Sequence, residues 1–470
     1  MIKRLLVLFW IFGFLTAGCM KLGPEYQRPD TDFETPGAFA EAGQAGPQPY
    51  VPQHNWWKQF EAPRLNEVVA RVLTHNPDIR KAAASVLEYR ALIGQTRADQ
   101  FPSLDLNAQA SRAQQSVVEP FTGENVTVKT DTFTLTLPAS FELDLWGRLS
   151  RATEAARADL LAAEENRQTV IHSLIAEAVS QYFNIQSLEA RLQISRRLTR
   201  TYRENLELVE ARYRQGLSSI LDVRQARRSL AQSEAEIPPL VQALGKARQA
   251  LAVLQGQYPA KPAEPSGGQS RFELPPPIPA GLPAELLNRR PDIRAVEASL
   301  KAACARIGVA KANRFPQIRL TGSLGYTSNE LQELFEPENE LWQIAAGIVQ
   351  PVFDAGKRGF AQKAAEARYR QQEAQYAKTV LEAFSEVEAA LLTRRQQIER
   401  YERLEIYLKE AKATLDTALD RYQRGLANYL NVLDAQKASF QAELSLVETR
   451  NAIYTNRVSL YRALGGGWGG

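Results

Sequence analysis

Residues 132–145 read Thr132-Phe133-Thr134-Leu135-Thr136-Leu137-Pro138-Ala139-Ser140-Phe141-Glu142-Leu143-Asp144-Leu145. Every odd position is apolar, and every even position is polar or proline. Period two with one polar face describes a strand lying between two environments. A run of this length suits a membrane-spanning strand, apolar toward lipid and polar toward a lumen. An ordinary sandwich strand is the alternative reading of the same pattern. Upstream, Leu104, Leu106, Ala108 and Ala110 alternate with Ser103, Asp105, Asn107, Gln109 and Ser111. A turn around Pro120–Asn125 joins the two stretches into a hairpin.

The same unit occurs twice. Asn76-Pro77-Asp78-Ile79-Arg80 recurs as Arg290-Pro291-Asp292-Ile293-Arg294, and Phe101-Pro102 recurs as Phe315-Pro316 at the same offset. Gly147 pairs with Gly356, and Arg212-Tyr213-x-x-Gly216-Leu217 with Arg421-Tyr422-x-x-Gly425-Leu426, at a slightly shorter offset. The change of length therefore falls between Pro102 and Gly147. A long internal repeat with one tolerant segment means two copies of one structural unit with a variable loop. The second copy carries its own strands. Ile318, Leu320, Leu324 and Tyr326 alternate with Gln317, Arg319, Thr321 and Ser323, and Trp342–Phe353 forms the return strand. The acidic stretch Ser328–Glu340 between them suits an exposed hairpin tip.

Each strand pair is preceded by a helix, about Pro77–Gln100 in the first copy, which Phe101-Pro102 stops. Each pair is followed by a much longer one. Residues 148–214 contain neither proline nor glycine, and 357–424 only Gly359. Such a helix extends about 100 Å, more than a globular core needs. Ile171, Ile175, Ala178, Tyr182 and Ile185, and then Leu404, Leu408, Ala411, Leu415, Ala418 and Tyr422, are spaced four and three apart. That is the seam of coiled-coil packing. Gly216 and Gly425 stop the long helices, and return helices run over Ile220 to about Gln255 and Tyr429 to about Leu464. Pro238-Pro239 must break or kink the first return helix; the second has no such break.

The division of the chain follows: 1–18 a signal peptide, 19–64 an extended arm held by Trp56-Trp57, 65–256 the first repeat, 257–283 a Pro/Gly-rich linker, and 284–470 the second repeat. Lys3 and Arg4 precede an apolar run over Leu5–Leu15, then Thr16-Ala17-Gly18-Cys19, the layout of a secretory signal. The stretch ending in Cys19 resembles a bacterial lipoprotein cleavage site, although Thr16 stands where such sites usually carry Leu. That resemblance implies lipidation of Cys19, and Met20 in place of Asp implies sorting to the outer membrane.

Composition excludes several classes. Net charge is +4 over 470 residues, with no basic stretch interleaved with aromatics, so nucleic acid is not expected as a partner. The three histidines, His54, His75 and His172, lack metal-ligand spacing. No phosphate-cradling loop occurs. Two methionines offer no thioether relay for soft metals. No enzyme and no cofactor is expected, and Cys304 reads as a small packed residue.

Four membrane strands per chain cannot close a barrel, because about eight is the smallest number normally seen and an open edge cannot face lipid. Several chains must then share one barrel. The expected fold is mainly α with a membrane β-barrel portion: long helical hairpins joined to a shared β-barrel.

At this point the chain resembles the outer-membrane factors of tripartite efflux pumps, the TolC-like and OprM-like channel lipoproteins. The resemblance spans essentially the whole chain. It rests on Cys19 followed by Pro24-x-Tyr26-x-Arg28-Pro29, Glu142-Leu143-Asp144-Leu145-Trp146-Gly147-Arg148, and Gly281–Leu287 through Arg290-Pro291-Asp292-Ile293. Gln350–Gly356, the paired Tyr-x-x-Gly-Leu tips and Leu433-Asp434-Ala435-Gln436 complete it. The resemblance implies a homotrimer whose single twelve-stranded barrel crosses the outer membrane, with a helical barrel in the periplasm. It implies a passive exit duct for small molecules, partnered by a periplasmic membrane-fusion adaptor and an inner-membrane proton-driven pump of the RND type. It also implies closure at the helix tips. Leu430, Asp434 and Lys437 would form rings there, with Asp222 at the tip of the first copy. Tyr213 and Tyr422 would supply hydrogen bonds between hairpins. Asn431 stands where some relatives carry a second acidic residue, and Ala427 where some carry Arg. The alternative reading of Asp434 and Asp222 is as caps or solvated tip residues. Two competing functions remain open: a duct for type I protein secretion, and a lipid-anchored periplasmic coiled-coil scaffold without a pore. The alternation over 133–145 argues against the scaffold.

Overall fold

The computed structural model describes residues 20–30, 37–42, 55–118, 121, 123–259, 278 and 283–466. The signal segment, Cys19 and most of the linker lie outside the described residues.

Helix α1 spans Pro63–His75, with Pro63 in its first turn. Sequence reading began the helical part at Pro77, so this helix was missed. Its buried face is Leu65, Val69 and Val72, spaced four and three apart. It ends at Asn76, because the residue before Pro77 is disfavoured in the α region. Helix α2 follows over Pro77–Ala98. Strand segments β1 (Ser103–Leu104) and β2 (Asn107–Val118) precede β3 (Asn125–Leu143). Then come α3 (Arg148–Arg214), α4 (Ile220–Ala235) and α5 (Ile237–Leu254). The second copy holds α6 (Pro283–Arg289), α7 (Pro291–Ala312), β4 (Gln317–Ser328), β5 (Glu340–Val349), α8 (Lys357–Gln423) and α9 (Tyr429–Ala463). The long helices α3 and α8 have 67 residues each. Pro238-Pro239 acts as expected: α4 stops at Ala235 and α5 restarts with proline in its first turn, whereas α9 runs unbroken for 35 residues.

The two compact units of the chain are not the two repeats. One contains Ser85–Glu164 and Ala295–Ala377; the other contains the described residues of Asp32–Ala84, Glu165–Arg294 and Lys378–Gly470. Each unit draws from both copies.

The first unit holds the sheet. Both β1 and β2 pair with β3, so five segments occupy four antiparallel positions, ordered β1/β2, β3, β4, β5. The register puts Leu143, Ile318 and Ile348 in one row, Phe141, Leu320 and Ala346 in the next, and Leu137, Leu324 and Trp342 further along, all on one face. Trp342, Ile344 and Ile348 on that face are 71%, 84% and 70% exposed, so the described chain leaves its most apolar sheet surface uncovered. From Leu143 to Phe133, ten steps of about 3.3 Å tilted by about 40° give a band roughly 25 Å tall, the height of a barrel's lipid-facing girdle. Above it the alternation reverses. Val126 and Val128 occupy the other face, and Lys129 and Asp131 join the formerly apolar one, where Asp131 takes both donors of Arg112. The odd-apolar pattern read over 133–145 therefore does not continue over 125–131. No described helix is long and apolar enough to cross a membrane.

An arm crosses this unit. Leu22 N–H donates to the Trp146 carbonyl at 3.2 Å. Arg28 donates to both Glu297 oxygens at 3.3 and 2.7 Å, and the Tyr26 hydroxyl joins them at 3.2 Å. Cys304 is buried and its thiol reaches the Pro24 carbonyl at 3.7 Å. Burial pushes that thiol's pKa up.

In the second unit the repeats close the same junction with different chemistry. Asn76 accepts from the Asp78 N–H at 2.8 Å and donates to the Leu254 carbonyl at 2.8 Å. Arg290, at the equivalent position, donates to the Ala463 carbonyl at 3.1 Å and to Asp292 and Glu386. Each side chain ties the start of one helix to the end of a return helix. Gly256 seals the first junction with φ +67°, and a Cβ there would lie 2.4 Å from the His75 carbonyl oxygen. Trp56 stacks on Tyr461 with ring centroids 4.9 Å apart, the docking expected of Trp56-Trp57. The anticipated seam faces inward: Ile171, Ile175, Ala178, Ala411 and Tyr422 are buried, and Leu404, Leu408, Leu415 and Ala418 are half-buried.

Candidate functional site: the hairpin tips

Both long helices end in the same turn. Gly216 and Gly425 have φ +74° and +75°. Leu217 N–H bonds the Arg212 carbonyl at 2.9 Å and Leu426 N–H the Arg421 carbonyl at 2.8 Å. Gly216 N–H bonds the Tyr213 carbonyl at 2.9 Å and Gly425 N–H the Tyr422 carbonyl at 3.0 Å. These are Schellman stops, which need a left-handed residue at the glycine. The return helices are capped in turn. Ser219 and Asp222 form a reciprocal capping box, and Asn428 accepts from the Asn431 N–H at 3.2 Å.

The turns fix where each candidate lies. Aligned on them, Asp222 corresponds to Asn431 and Gln225 to Asp434. Asp222 is engaged as a cap: it accepts from the Ser218 hydroxyl at 2.9 Å and the Ser219 N–H at 3.0 Å. Burial works to raise its pKa, but those hydrogen bonds outweigh it and hold the carboxyl below the usual range. Leu430, Asp434 and Lys437 share the exposed face of α9, opposite the buried Val432, Leu433, Ala435 and Gln436. Asp434 and Lys437 enter no ion pair among the described residues.

Beneath that face lies a cluster built from both hairpins. Leu198, Tyr202 and Val209 of α3, Val223 and Ala226 of α4, Tyr422 of α8, and Tyr429, Val432 and Leu433 of α9 pack together. Tyr422 and Tyr429 meet at 5.5 Å and 50°. The Arg212 guanidinium lies 5.0 Å from the Tyr422 ring centroid, and its Nη1 reaches the Gln423 carbonyl at 3.5 Å. The Tyr422 and Tyr429 hydroxyls are buried and find no hydrogen-bond partner among the described residues. Burial, and then the neighbouring Tyr422, push the Tyr429 pKa well above its ordinary value. Tyr213 is 44% exposed. Within one chain, then, the ring of Tyr422 ties the hairpins together and its hydroxyl does not. Arg212, Tyr429 and Tyr202 were not singled out from sequence. Arg212 sits in the repeated Arg-Tyr pair, so its position was visible but its partner on the other hairpin was not.

Ala427 and Asn431, the two departures from the family pattern, line an open groove of about 350 Å³ with Ala413, Thr414, Thr417, Ala418 and Arg421. Small residues there leave space unfilled. No group of three or more His, Cys, Asp or Glu that could hold a metal occurs among the described residues. Burial lowers the His172 pKa to about 4, so that ring is neutral at pH 7.

A sheet segment with one uncovered apolar face, attached to two helical hairpins closed by matched turns, defines the wall of a membrane channel. The family model described as "Outer membrane efflux protein" matches residues 68–257 and 282–466. The chain is 33% identical over 451 residues to the cation efflux system protein CusC of Escherichia coli O6:H1, covering 96% of each chain. It is 34% identical over 463 residues to the solvent efflux pump outer membrane protein SrpC of Pseudomonas putida, covering 97% of each. The solved outer-membrane channel OprN superposes with a TM-score of 0.86 at 32% identity, over 95% of this chain and 99% of that one. This chain belongs to the outer membrane efflux protein family. It is an outer-membrane protein and the channel component of an efflux system, in a family of channels rather than enzymes.

Proposed function

We propose that three copies form one duct, with a twelve-stranded barrel in the outer membrane and the hairpins in the periplasm. Small molecules would leave through it, driven by a separate inner-membrane pump and opened by a periplasmic adaptor. The carrying observation is the sheet: four positions with an uncovered apolar face and unpaired outer edges. Such edges are not tolerated in lipid, so other copies must pair with them. In this assembly Leu430, Asp434 and Lys437 become rings at the tips, a steric block beside fixed charges. Tyr422 holds the tips closed, while Asp222 contributes charge from its capped position. Cys19, as the lipidated first residue of the mature chain, adds an anchor.

The cargo class is not set by a recognition pocket, because a duct need not bind what it passes. Relatives are named for cation and for solvent efflux. With two methionines in the chain, a thioether relay for soft cations is not available, which favours organic cargo.

The test is the mass of the detergent-solubilised protein by light scattering, corrected for bound detergent. Three chains per particle is the expected result. A stable monomer would leave the edges unpaired and remove the duct in favour of a lipid-anchored scaffold.

A further inference from the structure

Strand register sorts the side chains of the sheet into two faces. The face opposite the apolar one carries Thr134, Thr136, Ser140, Thr321, Ser323 and Gln343. In the paired rows of this face only two residues are charged, Glu142 and Arg319, and they sit directly opposite one another on β3 and β4. Their charges do not cancel as a pair. Arg148, at the start of α3, donates to both Glu142 oxygens at 2.8 and 2.9 Å. Arg319 approaches the same carboxylate only to 3.9 Å, beyond hydrogen-bond length, and its side chain stays 59% exposed against 13% for Glu142. On its other side Arg319 faces Gly347, which offers no side chain. Arg319 is therefore the one exposed guanidinium in the paired rows of this face, at the end of the sheet where the helices begin. Of the two carboxylates that continue the face beyond those rows, Asp144 is engaged by Leu149 and Ser150 at the start of α3. Asp105 lies four residues further along, opposite Pro138.

We propose that Arg319 is a selectivity residue of this channel, forming with its symmetry mates a ring of guanidinium groups at the inner end of the barrel. The inference rests on the shared-barrel assembly proposed above. The ring attracts small anions and the carboxylate or phosphate groups of anionic cargo, and it repels cations. Fixed like charges facing one confined lumen raise the local potential by an amount comparable to kT, enough to bias permeation. The bias must weaken as salt rises, because the screening length falls from about 10 Å at 0.1 M to about 3 Å at 1 M.

The test uses the full-length protein in planar bilayers. Reversal potentials across a KCl gradient near 0.1 M are compared for the wild type, R319Q, R319K and R319E. R319Q should move the potassium-to-chloride permeability ratio toward potassium by about threefold. R319E should move it further, R319K should keep the wild-type ratio, and all differences should shrink near 1 M salt. A conducting R319Q channel with the wild-type ratio at 0.1 M would overturn the proposal. So would an R319K channel that behaves like R319Q, since the role would then be structural and not electrostatic. The same comparison is run in a Y422A background, where the tips are expected to open. A stable monomer in detergent would instead sink the shared barrel itself, and the ring with it.

Discussion

Replacing Arg290 with alanine should destabilise the protein by about 2–3 kcal/mol, the cost of losing charge-assisted hydrogen bonds from a buried guanidinium to two partly exposed carboxylates and a carbonyl. The Arg290 side chain is 8% exposed and holds Asp292 at 2.7 Å and Glu386 at 2.8 Å. It also donates to the Ala463 carbonyl at 3.1 Å, at the last turn of α9. Alanine strands a partly buried carboxylate and breaks the tie between two helices. The first repeat supplies an internal control. Asn76 makes the equivalent tie to Leu254 with a neutral amide. Its alanine variant loses a helix cap and one hydrogen bond, and should cost only about 1–2 kcal/mol. Denaturant unfolding of both variants in one detergent would decide the matter. Equal costs would mean that Arg290 acts as a cap alone and the ion pair contributes nothing net.

The pair also fixes a pH dependence. Burial opposes ionisation of Asp292, but hydrogen bonds from Arg290 and its charge outweigh burial and hold the carboxyl below the usual range. A carboxyl depressed in the folded state contributes stability above its unfolded value, near 4, and loses it as pH falls through the folded value. The stability gap between wild type and D292N should therefore be full at pH 7 and close below about pH 4. A gap that stays constant to pH 3 would remove Asp292 from the ion pair.

How much of this was legible in the sequence depended on whether the signal was local. The alternation over 133–145 is local, and it gave the strand and its apolar face. It missed the extension to Asn125, because the polar and apolar faces exchange above the band, which period-two reading cannot anticipate. The glycine stops and the Pro238-Pro239 break are backbone properties and came through intact. The helix over Pro63–His75 was lost because a single short buried stripe follows a stretch with no periodicity. At the tips, spacing placed Leu430, Asp434 and Lys437 on one helix face, and the structure keeps them together there. The partner of Tyr422 on the other hairpin was out of reach, since Arg212 reaches its ring by packing between hairpins far apart in sequence, whereas Tyr429 meets it across the turn of its own hairpin.

That packing sets the prediction with the largest functional effect. The cluster under the tip draws residues from both hairpins, so any motion that spreads one hairpin from the other must break it. Tyr422 is 6% exposed within it. Removing a buried ring of this size costs about 3–5 kcal/mol. If the cluster is intact only in the closed tip, Y422A shifts the closed–open balance by a hundredfold or more, at about 1.4 kcal/mol per tenfold. R212A removes a cation–π contact of about 0.5–2 kcal/mol and should open the channel by roughly twofold to thirtyfold. Y422F keeps the ring and deletes only a hydroxyl that no described group accepts, so it should conduct like the wild type. Single-channel open probability in planar bilayers gives the order directly. If Y422F opens as readily as Y422A, the hydroxyl is bonded to a neighbouring copy and the lock lies between chains. If none of the three variants changes conductance, the resistance of the closed duct lies elsewhere than at its tips.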